Sequence, residues 1–112
     1  MANQALQLEA LFQALANPTR RVVVERLAHG PATVSELARY FDMALPSFTQ
    51  HLQVLERSGL VRSRKEGRVR TYWLEPKPLQ AAEEWLAGQR DLWERRLDQL
   101  DSYLANMEAM EE

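Results

Sequence analysis

Apolar side chains recur at helical spacing at both ends of the chain, and from Trp93 onward they step by four and three residues. This spacing predicts two amphipathic helices, over about residues 4–16 and about residues 78–107. The apolar stripe of the first comprises Leu8, Leu11, Phe12 and Leu15. That of the second comprises Leu86, Trp93, Leu97, Leu100, Leu104 and Met107. Gly88 lies inside the second predicted helix and is its weakest point.

A further helix is predicted directly after the first. Asn17 is a favourable N-cap and Pro18 a favourable first helical residue, and His29-Gly30 gives the stop signal. The run Val22-Val23-Val24 would by itself favour a strand. Because the capping signals agree, and because Val23, Val24 and Leu27 share one helical face, we predict a helix.

Two short helices joined by a tight turn are predicted over about residues 34–58. Thr33 and Glu36 have the spacing of a capping box, and we expect the helix that they open to end near Tyr40 or Phe41. Pro46 begins the next helix, and Gly59 stands where a left-handed residue ends it. The inward positions of the two helices are Val34, Leu37 and Ala38, and Phe48, Leu52 and Leu55. The pattern is that of a helix-turn-helix.

The period changes over about residues 60–74, where strand-forming residues flank Glu66-Gly67 and predict a two-stranded hairpin. This segment is strongly basic, with Arg62, Arg64, Lys65, Arg68 and Arg70. Short hairpins often carry cations simply because these discourage strand pairing with other chains. The alternative interpretation is therefore a solvated sheet edge that binds no partner.

Composition limits the classes of protein that this chain can represent. A length of 112 residues, 46% apolar and 27% charged, predicts one ordered domain over residues 1–112. The absence of cysteine excludes disulfides, thiolate catalysis and cysteine-ligated metals. No run is long and apolar enough to span a membrane, and the first residues do not resemble a signal peptide. We therefore expect a cytoplasmic protein without a membrane partner.

Charge is divided unevenly along the chain. Residues 1–70 hold ten Lys and Arg against six Asp and Glu, whereas residues 71–112 hold four against ten. The basic hairpin directly follows a helix whose outward side chains are small or polar over its first two turns. The two features together favour duplex DNA as the partner. The expected base contacts are Ser47, Thr49, Gln50 and His51, and the expected phosphate contacts are Arg64, Lys65, Arg68 and Arg70.

These residues also carry a resemblance to a known family. "LANPTRR", "VSELA", "LPSFTQHLQVLERSGLV" and "EGRVRTYWL" stand in the order and at the spacings of the ArsR/SmtB bacterial transcription repressors, over residues 14–74. The resemblance implies a mainly α fold with a small β-hairpin, a winged helix-turn-helix of about five helices and a two-stranded wing. It also implies a homodimer formed by the first and last helices, with the helix from Pro46 to Ser58 in the major groove of a DNA operator.

The terminal stripes agree with that implied dimer. The expected interface residues are Leu8, Leu11, Phe12, Leu15, Trp93, Leu97, Leu100 and Leu104. Their apolar area exceeds what one small core needs to bury.

The chain departs from the family where its metal-sensing members bind their effectors. Those members use cysteine pairs before the recognition helix, or histidine with carboxylates on the last helix. This chain has no cysteine, and its two histidines are His29 and His51. Carboxylates without nitrogen or sulphur ligands are normally a solvated face. We expect no metal and no cofactor, and the sequence leaves open whether an unknown small-molecule effector exists.

Two other functions compete with DNA binding. A winged helix can serve protein contacts alone when it lacks a basic face, which this chain has. An enzyme would need paired carboxylates by a suitable loop, or a nucleophile beside a base, and neither pattern is present. We therefore predict a DNA-binding repressor and not an enzyme.

Three expectations concern individual side chains outside these sets. Arg20 and Arg21 stand near a helix N-terminus where they could reach phosphate, but we expect instead a surface ion pair with Glu25, four residues from Arg21. We expect Tyr40 and Phe41 to pack against the rest of the domain. The tryptophans are expected as core and interface anchors, at Trp73, Trp85 and Trp93.

Overall fold

A computed structural model describes residues 2–111, so residues 1 and 112 of the predicted domain lie outside the described part. The described residues form five helices and three strands. The helices are α1 (Ala2–Leu15), α2 (Pro18–Leu27), α3 (Val34–Ala38), α4 (Leu45–Arg57) and α5 (Pro76–Glu111), and the strands are β1 (Ala32–Thr33), β2 (Val61–Glu66) and β3 (Val69–Leu74). The chain forms two compact units, one up to Ala81 and one from Ala82 onward.

The predicted start of α2 is confirmed by its cap. The side chain of Asn17 accepts a hydrogen bond from the backbone N–H of Arg20 at 3.1 Å, and Pro18 is the first helical residue. Val23 and Leu27 are buried and Val24 is half-buried. The three consecutive valines therefore belong to a helix, because the cap and the buried face outweigh their strand preference.

Thr33 caps α3 as its spacing with Glu36 predicts. Its hydroxyl oxygen accepts from the backbone N–H of Glu36 at 3.2 Å and donates to the carboxylate of the same residue at 3.1 Å. That carboxylate also lies 3.6 Å from the guanidinium of Arg26. The helix ends at Ala38, earlier than predicted. Tyr40 is 59% exposed and does not pack as expected.

The core of the first unit forms around α4. Phe48, Leu52 and Leu55 are at most 1% exposed, which confirms the inward face predicted from their spacing. The ring centroid of Phe41 lies 5.2 Å from that of Phe48, so Phe41 packs as expected. The other buried apolar residues of this unit are Leu11, Ala14, Val23, Leu27, Ala32, Leu37, Leu60, Val61 and Tyr72.

The hairpin belongs to a three-stranded antiparallel sheet in the order β1-β3-β2. Strands β2 and β3 pair from Val61 opposite Leu74 to Glu66 opposite Val69, and we call this hairpin the wing. Its two-residue turn begins with Gly67 at φ +62, a left-handed value that favours glycine. The short strand β1, paired through Ala32 and Thr33 with Tyr72 and Thr71, was not predicted.

The last helix begins at Pro76 and not at Pro78, and it runs without interruption through Gly88. No helix among the described residues is long and apolar enough to cross a membrane. The order of elements confirms the predicted fold class: a helix-turn-helix, here α3 and α4, followed by a wing within a mainly helical chain.

Candidate nucleic-acid interface

The outward side of α4 carries the residues expected to contact bases. Because the inward residues hold the helix by one face, the helical period puts Gln50 at the centre of the opposite face. Ser47 and Gln50 are exposed, and Thr49 and His51 are half-buried. The same period places Ser47 and His51 on one flank of Gln50 and Thr49 on the other. The structure therefore spreads the four predicted residues across the whole exposed face of α4.

Thr49 differs from the other three in its local bonding. Its hydroxyl donates a hydrogen bond to the backbone carbonyl of Pro46 at 3.0 Å. The hydroxyl proton is thus engaged within the helix, and the oxygen retains acceptor capacity for a partner outside it.

His51 is held from outside its own helix. Its Nδ1 lies 3.2 Å from Nη1 of Arg20, which belongs to α2. Burial, and to a lesser degree the positive charge of Arg20, lower the pKa of His51 below its ordinary value of 6.5. The ring is therefore neutral near neutral pH.

The predicted ion pair of Arg21 with Glu25 is wrong, because Arg21 binds a backbone carbonyl instead. The Nη1 group of Arg21 donates to the carbonyl of Leu15 at 2.9 Å. Arg20 binds the same helix end, through Nε to the carbonyl of Ala14 at 2.6 Å and Nη2 to that of Gln13 at 3.0 Å. Both arginines therefore satisfy the free carbonyls at the C-terminus of α1, where the helix dipole favours positive charge.

The wing separates its cations between two faces. Residues directly opposite each other in an antiparallel pair share a face, and successive residues alternate. Lys65 is opposite Arg70, on the face that also holds Ser63 and the buried Tyr72. Arg64 is opposite Thr71, on the other face. Arg68 lies in the turn and is exposed.

Hydrogen bonds link the wing to α4. The hydroxyl of Ser63 donates to the carboxylate of Glu56 on α4, and Nη1 of Arg70 donates to the same hydroxyl at 2.8 Å. Burial and the Glu56 carboxylate raise the pKa of Tyr72, so its hydroxyl remains neutral beside this link. Sequence reasoning missed the Glu56–Ser63–Arg70 connection, because no periodicity relates a helix residue to a strand face.

The acidic neighbours of the wing cations differ from one face to the other. Arg62 lies 3.6 Å from Glu75, and Arg64 lies 3.4 Å from Glu66. Lys65 and Arg70 stand opposite each other as like charges, which is unfavourable in a hairpin, and the Glu56 carboxylate, joined to Arg70 through the Ser63 hydroxyl, offsets part of that charge. An anion placed on their face would relieve that repulsion.

The residues expected at a dimer interface have different surroundings. In α1, Leu11 is 1% exposed and belongs to the core, so it has little surface left for a partner. Phe12 is 37% exposed, and Leu8 and Leu15 are half-buried. The α5 members are about half exposed, at 60% for Trp93, 54% for Leu97, 51% for Leu100 and 48% for Leu104.

The tryptophans do not serve as core anchors. Trp85 and Trp93 lie on α5 and are 46% and 60% exposed. Trp73 is half-buried and its indole N–H donates to Glu75 at 3.2 Å. An interface role for the α5 pair stays a prediction.

Within residues 2–111, the structure brings together no group of three or more His, Asp or Glu side chains suited to a metal ion. The carboxylates of α5 lie on exposed positions along the helix.

Comparison with known proteins relates these features to studied regulators. A family model described as a helix-turn-helix domain matches residues 15–64. The HTH-type transcriptional regulator Rv2034 of Mycobacterium tuberculosis is 51% identical over 70 residues, which are 62% of this chain and 65% of that regulator. The match thus spans slightly less than two thirds of the relative's length.

Two solved structures are similar over most of their length. The crystal structure of an ArsR family transcriptional regulator, RHA00566, is 60% identical, with a TM-score of 0.78 and coverage of 80% of this chain and 93% of that chain. The solution structure of the homodimeric winged helix-turn-helix DNA-binding domain of Mb0332, a possible ArsR-family regulator from Mycobacterium bovis, is 29% identical. Its TM-score is 0.64, with coverage of 81% of this chain and 86% of that domain.

Proposed function

The chain belongs to the ArsR family of transcriptional regulators, and we propose that it represses transcription by binding an inverted-repeat DNA operator as a homodimer. The observation that carries the proposal is the link between a polar helix face and a basic hairpin. The core holds α4 with Gln50 outward, and the Glu56–Ser63–Arg70 hydrogen bonds join that helix to the wing. One rigid surface thus offers base-reading and phosphate-binding groups together.

In this proposal α4 lies in the major groove and reads base edges. The side-chain amide of Gln50 matches the N6 and N7 groups of adenine, and it occupies the centre of the exposed face. Ser47 and His51 on one flank, and Thr49 on the other, extend the contact to neighbouring base pairs. These four side chains supply sequence selection.

The wing supplies affinity through phosphates. Lys65 and Arg70 stand as an opposed pair of like charges on the face linked to α4, so a phosphate between them offsets their repulsion. Arg68 extends from the turn. Arg64 lies on the other face beside Glu66, which reduces its contribution. We therefore rank Arg64 last among the four cations predicted from the sequence.

Exposed apolar surface supports the dimer. The stripe on α5 from Trp93 to Leu104 is about half exposed, although large apolar groups arranged in a row favour burial. On α1, Phe12 offers a further exposed ring. The homodimeric Mycobacterium bovis domain gives a precedent for such an assembly in a related fold. Two copies of α4 would then meet two half-sites of one operator.

The proposed role is regulatory and not enzymatic: a dimer that occupies a promoter excludes the polymerase. The alternative is a winged helix that contacts proteins only. The basic wing beside a polar outward face on α4 favours DNA, because duplex DNA offers phosphates and base edges together, whereas an acidic protein surface would match the wing alone.

The test is the selection of binding duplexes from a random library, followed by footprinting. We expect an enriched inverted repeat protected on two successive major-groove faces, with affinity that falls as salt rises. Failure to enrich any sequence, together with salt-insensitive binding, would favour the protein-contact alternative.

A further inference from the structure

A side chain outside α4 controls what α4 presents on its surface. Arg20 lies on α2, and its guanidinium Nη1 is 3.2 Å from Nδ1 of His51 on α4. The two residues are 31 positions apart in sequence. The contact therefore depends on the packing of α2 against α4.

The chemistry of the two groups fixes the direction of this hydrogen bond. A guanidinium has only N–H donors and no acceptor. Nδ1 of His51 must therefore accept, which leaves it without a proton and puts the proton of the neutral ring on Nε2. A doubly protonated ring would place an N–H against an N–H.

The position of Arg20 is itself fixed at three points. Its Nε and Nη2 groups donate to the carbonyls of Ala14 and Gln13, and its backbone N–H donates to the capping side chain of Asn17. The guanidinium is thus held against the end of α1 with one N–H directed at α4. Such a fixed donor can hold a histidine ring in a single orientation.

We propose that Arg20 is a positioning residue that fixes His51 with its proton on Nε2, so that α4 presents an obligate ring N–H donor to DNA. The proposal rests on the DNA-binding function proposed above. An obligate donor selects base edges that accept, such as N7 and O6 of guanine or O4 of thymine. It disfavours the exocyclic amino groups of cytosine and adenine. Arg20 thereby determines specificity without touching a base.

Nitrogen NMR of the histidine rings tests the tautomer without DNA. The chain has two histidines, so ¹⁵N-histidine labelling with a His29→Gln variant identifies the signals of His51. We expect an unprotonated Nδ1 and a protonated Nε2 in the native chain above the titration of the ring. In Arg20→Ala both tautomers should be populated.

Arg21→Ala is the matched control. It removes a guanidinium from the same end of α1, where Arg21 binds the Leu15 carbonyl, and it leaves the Arg20–His51 contact in place. Its His51 signals should match those of the native chain. A protonated Nδ1 in the native chain, or an unchanged tautomer in Arg20→Ala, would overturn the proposal.

A double-mutant cycle on the selected operator tests the consequence for binding. Arg20→Ala should weaken operator binding by roughly three- to tenfold for each subunit of the dimer, the effect of about one hydrogen bond per subunit. In a His51→Ala background the same change should have almost no effect, because Arg20 acts through the ring. Arg21→Ala should bind as the native chain does, and thermal melts confirm that each variant is folded.

The outcomes separate the two proposals. If the Arg20→Ala loss persists in the His51→Ala background, Arg20 affects binding by a route other than the His51 ring, such as a phosphate contact or its hydrogen bonds to the end of α1, and the positioning role is wrong. If the native chain binds no duplex, the proposed function is wrong, and His51 presents no donor to DNA. The NMR result then still decides which ring nitrogen of His51 carries the proton.

Discussion

Arg64 and Lys65 are neighbours in sequence, yet the pleat of β2 sends them to opposite faces of the wing. Lys65 stands opposite Arg70 on the face joined to α4, and Arg64 lies 3.4 Å from the carboxylate of Glu66. Composition alone counts both as equal members of a basic cluster. Their separate environments lead to different expected roles.

Lys65→Ala and Arg64→Ala therefore give a matched comparison of how the salt dependence of DNA binding changes. Lys65→Ala should make the slope of log K against log salt shallower by about 0.9 for each subunit of a dimer, because a phosphate contact is lost. Arg64→Ala should change the slope much less, since Glu66 already offsets its charge. Fluorescence anisotropy at several salt concentrations measures both. A larger change for Arg64→Ala would mean that the DNA lies on the other face.

The lowered pKa of His51 predicts a pH dependence of stability. Because the native ring binds a proton less readily than the unfolded chain, whose ordinary value is 6.5, stability falls as pH drops below that value toward the native pKa. Urea unfolding should show that the free energy of unfolding of the native chain falls, relative to that of His51→Gln, as the pH drops through this window. In Arg20→Ala this dependence of stability on pH should weaken. A native chain that becomes more stable than His51→Gln on acidification would contradict the lowered pKa of His51.

Sequence reasoning predicted which side chains of α4 face outward but not the contacts that hold them. The spacing of Phe48, Leu52 and Leu55 predicted which positions face outward, because a helix has one fixed period. No period relates Arg20 to His51, since their contact arises from the packing of two helices. The ion pair expected for Arg21 was wrong because the free carbonyls of α1 offer a better partner.

Capping chemistry accounts for the accuracy of the predicted elements. Asn17 and Thr33 make the backbone hydrogen bonds that their sequence contexts indicated, and both are local signals. Strand β1 was not predicted because two residues are too few to show the alternation of a strand, and because its pairing depends on β3. The start of α5 was misplaced because Pro76 and Pro78 both fit a first helical turn, where backbone N–H groups need no partner.

The same substitution at two glycines should have opposite effects on stability. Gly59 ends α4 at φ +83, a backbone conformation that L side chains rarely adopt, so Gly59→Ala costs backbone strain of about 1–2 kcal/mol. The nearest atom to an added Cβ, in Pro78, is 3.9 Å away, which is an ordinary contact. Gly88 lies within α5 with no atom within 4 Å of an added Cβ. Gly88→Ala should stabilise the chain by about 0.5–1 kcal/mol.

Urea unfolding followed by circular dichroism measures both variants. A stabilising Gly59→Ala would show that this helix end tolerates a side chain, and a destabilising Gly88→Ala would indicate that the glycine permits a close approach in the assembled protein.

For the whole molecule, we expect the apolar stripe of α5 to determine the state of assembly. Leu97 is 54% exposed, so Leu97→Glu places a charge where the proposed dimer buries a leucine. Light scattering at micromolar concentration should give a dimer for the native chain and a monomer, or an unfolded chain, for this variant. Gln99→Glu adds the same charge on another side of α5 and should remain dimeric. A native monomer would refute the dimer.

The central claim is that α4 reads bases while the wing binds phosphates, and one measurement addresses both parts. The native chain, Gln50→Ala and Arg68→Ala are titrated against operator and scrambled duplexes across a salt series. Gln50→Ala should cost about 1–3 kcal/mol on the operator and little on the scrambled duplex. Arg68→Ala should weaken both and make the salt slope shallower by roughly 1.8 for a dimer. An unchanged slope for Arg68→Ala, together with equal weakening of both duplexes by Gln50→Ala, would contradict these roles of helix and wing.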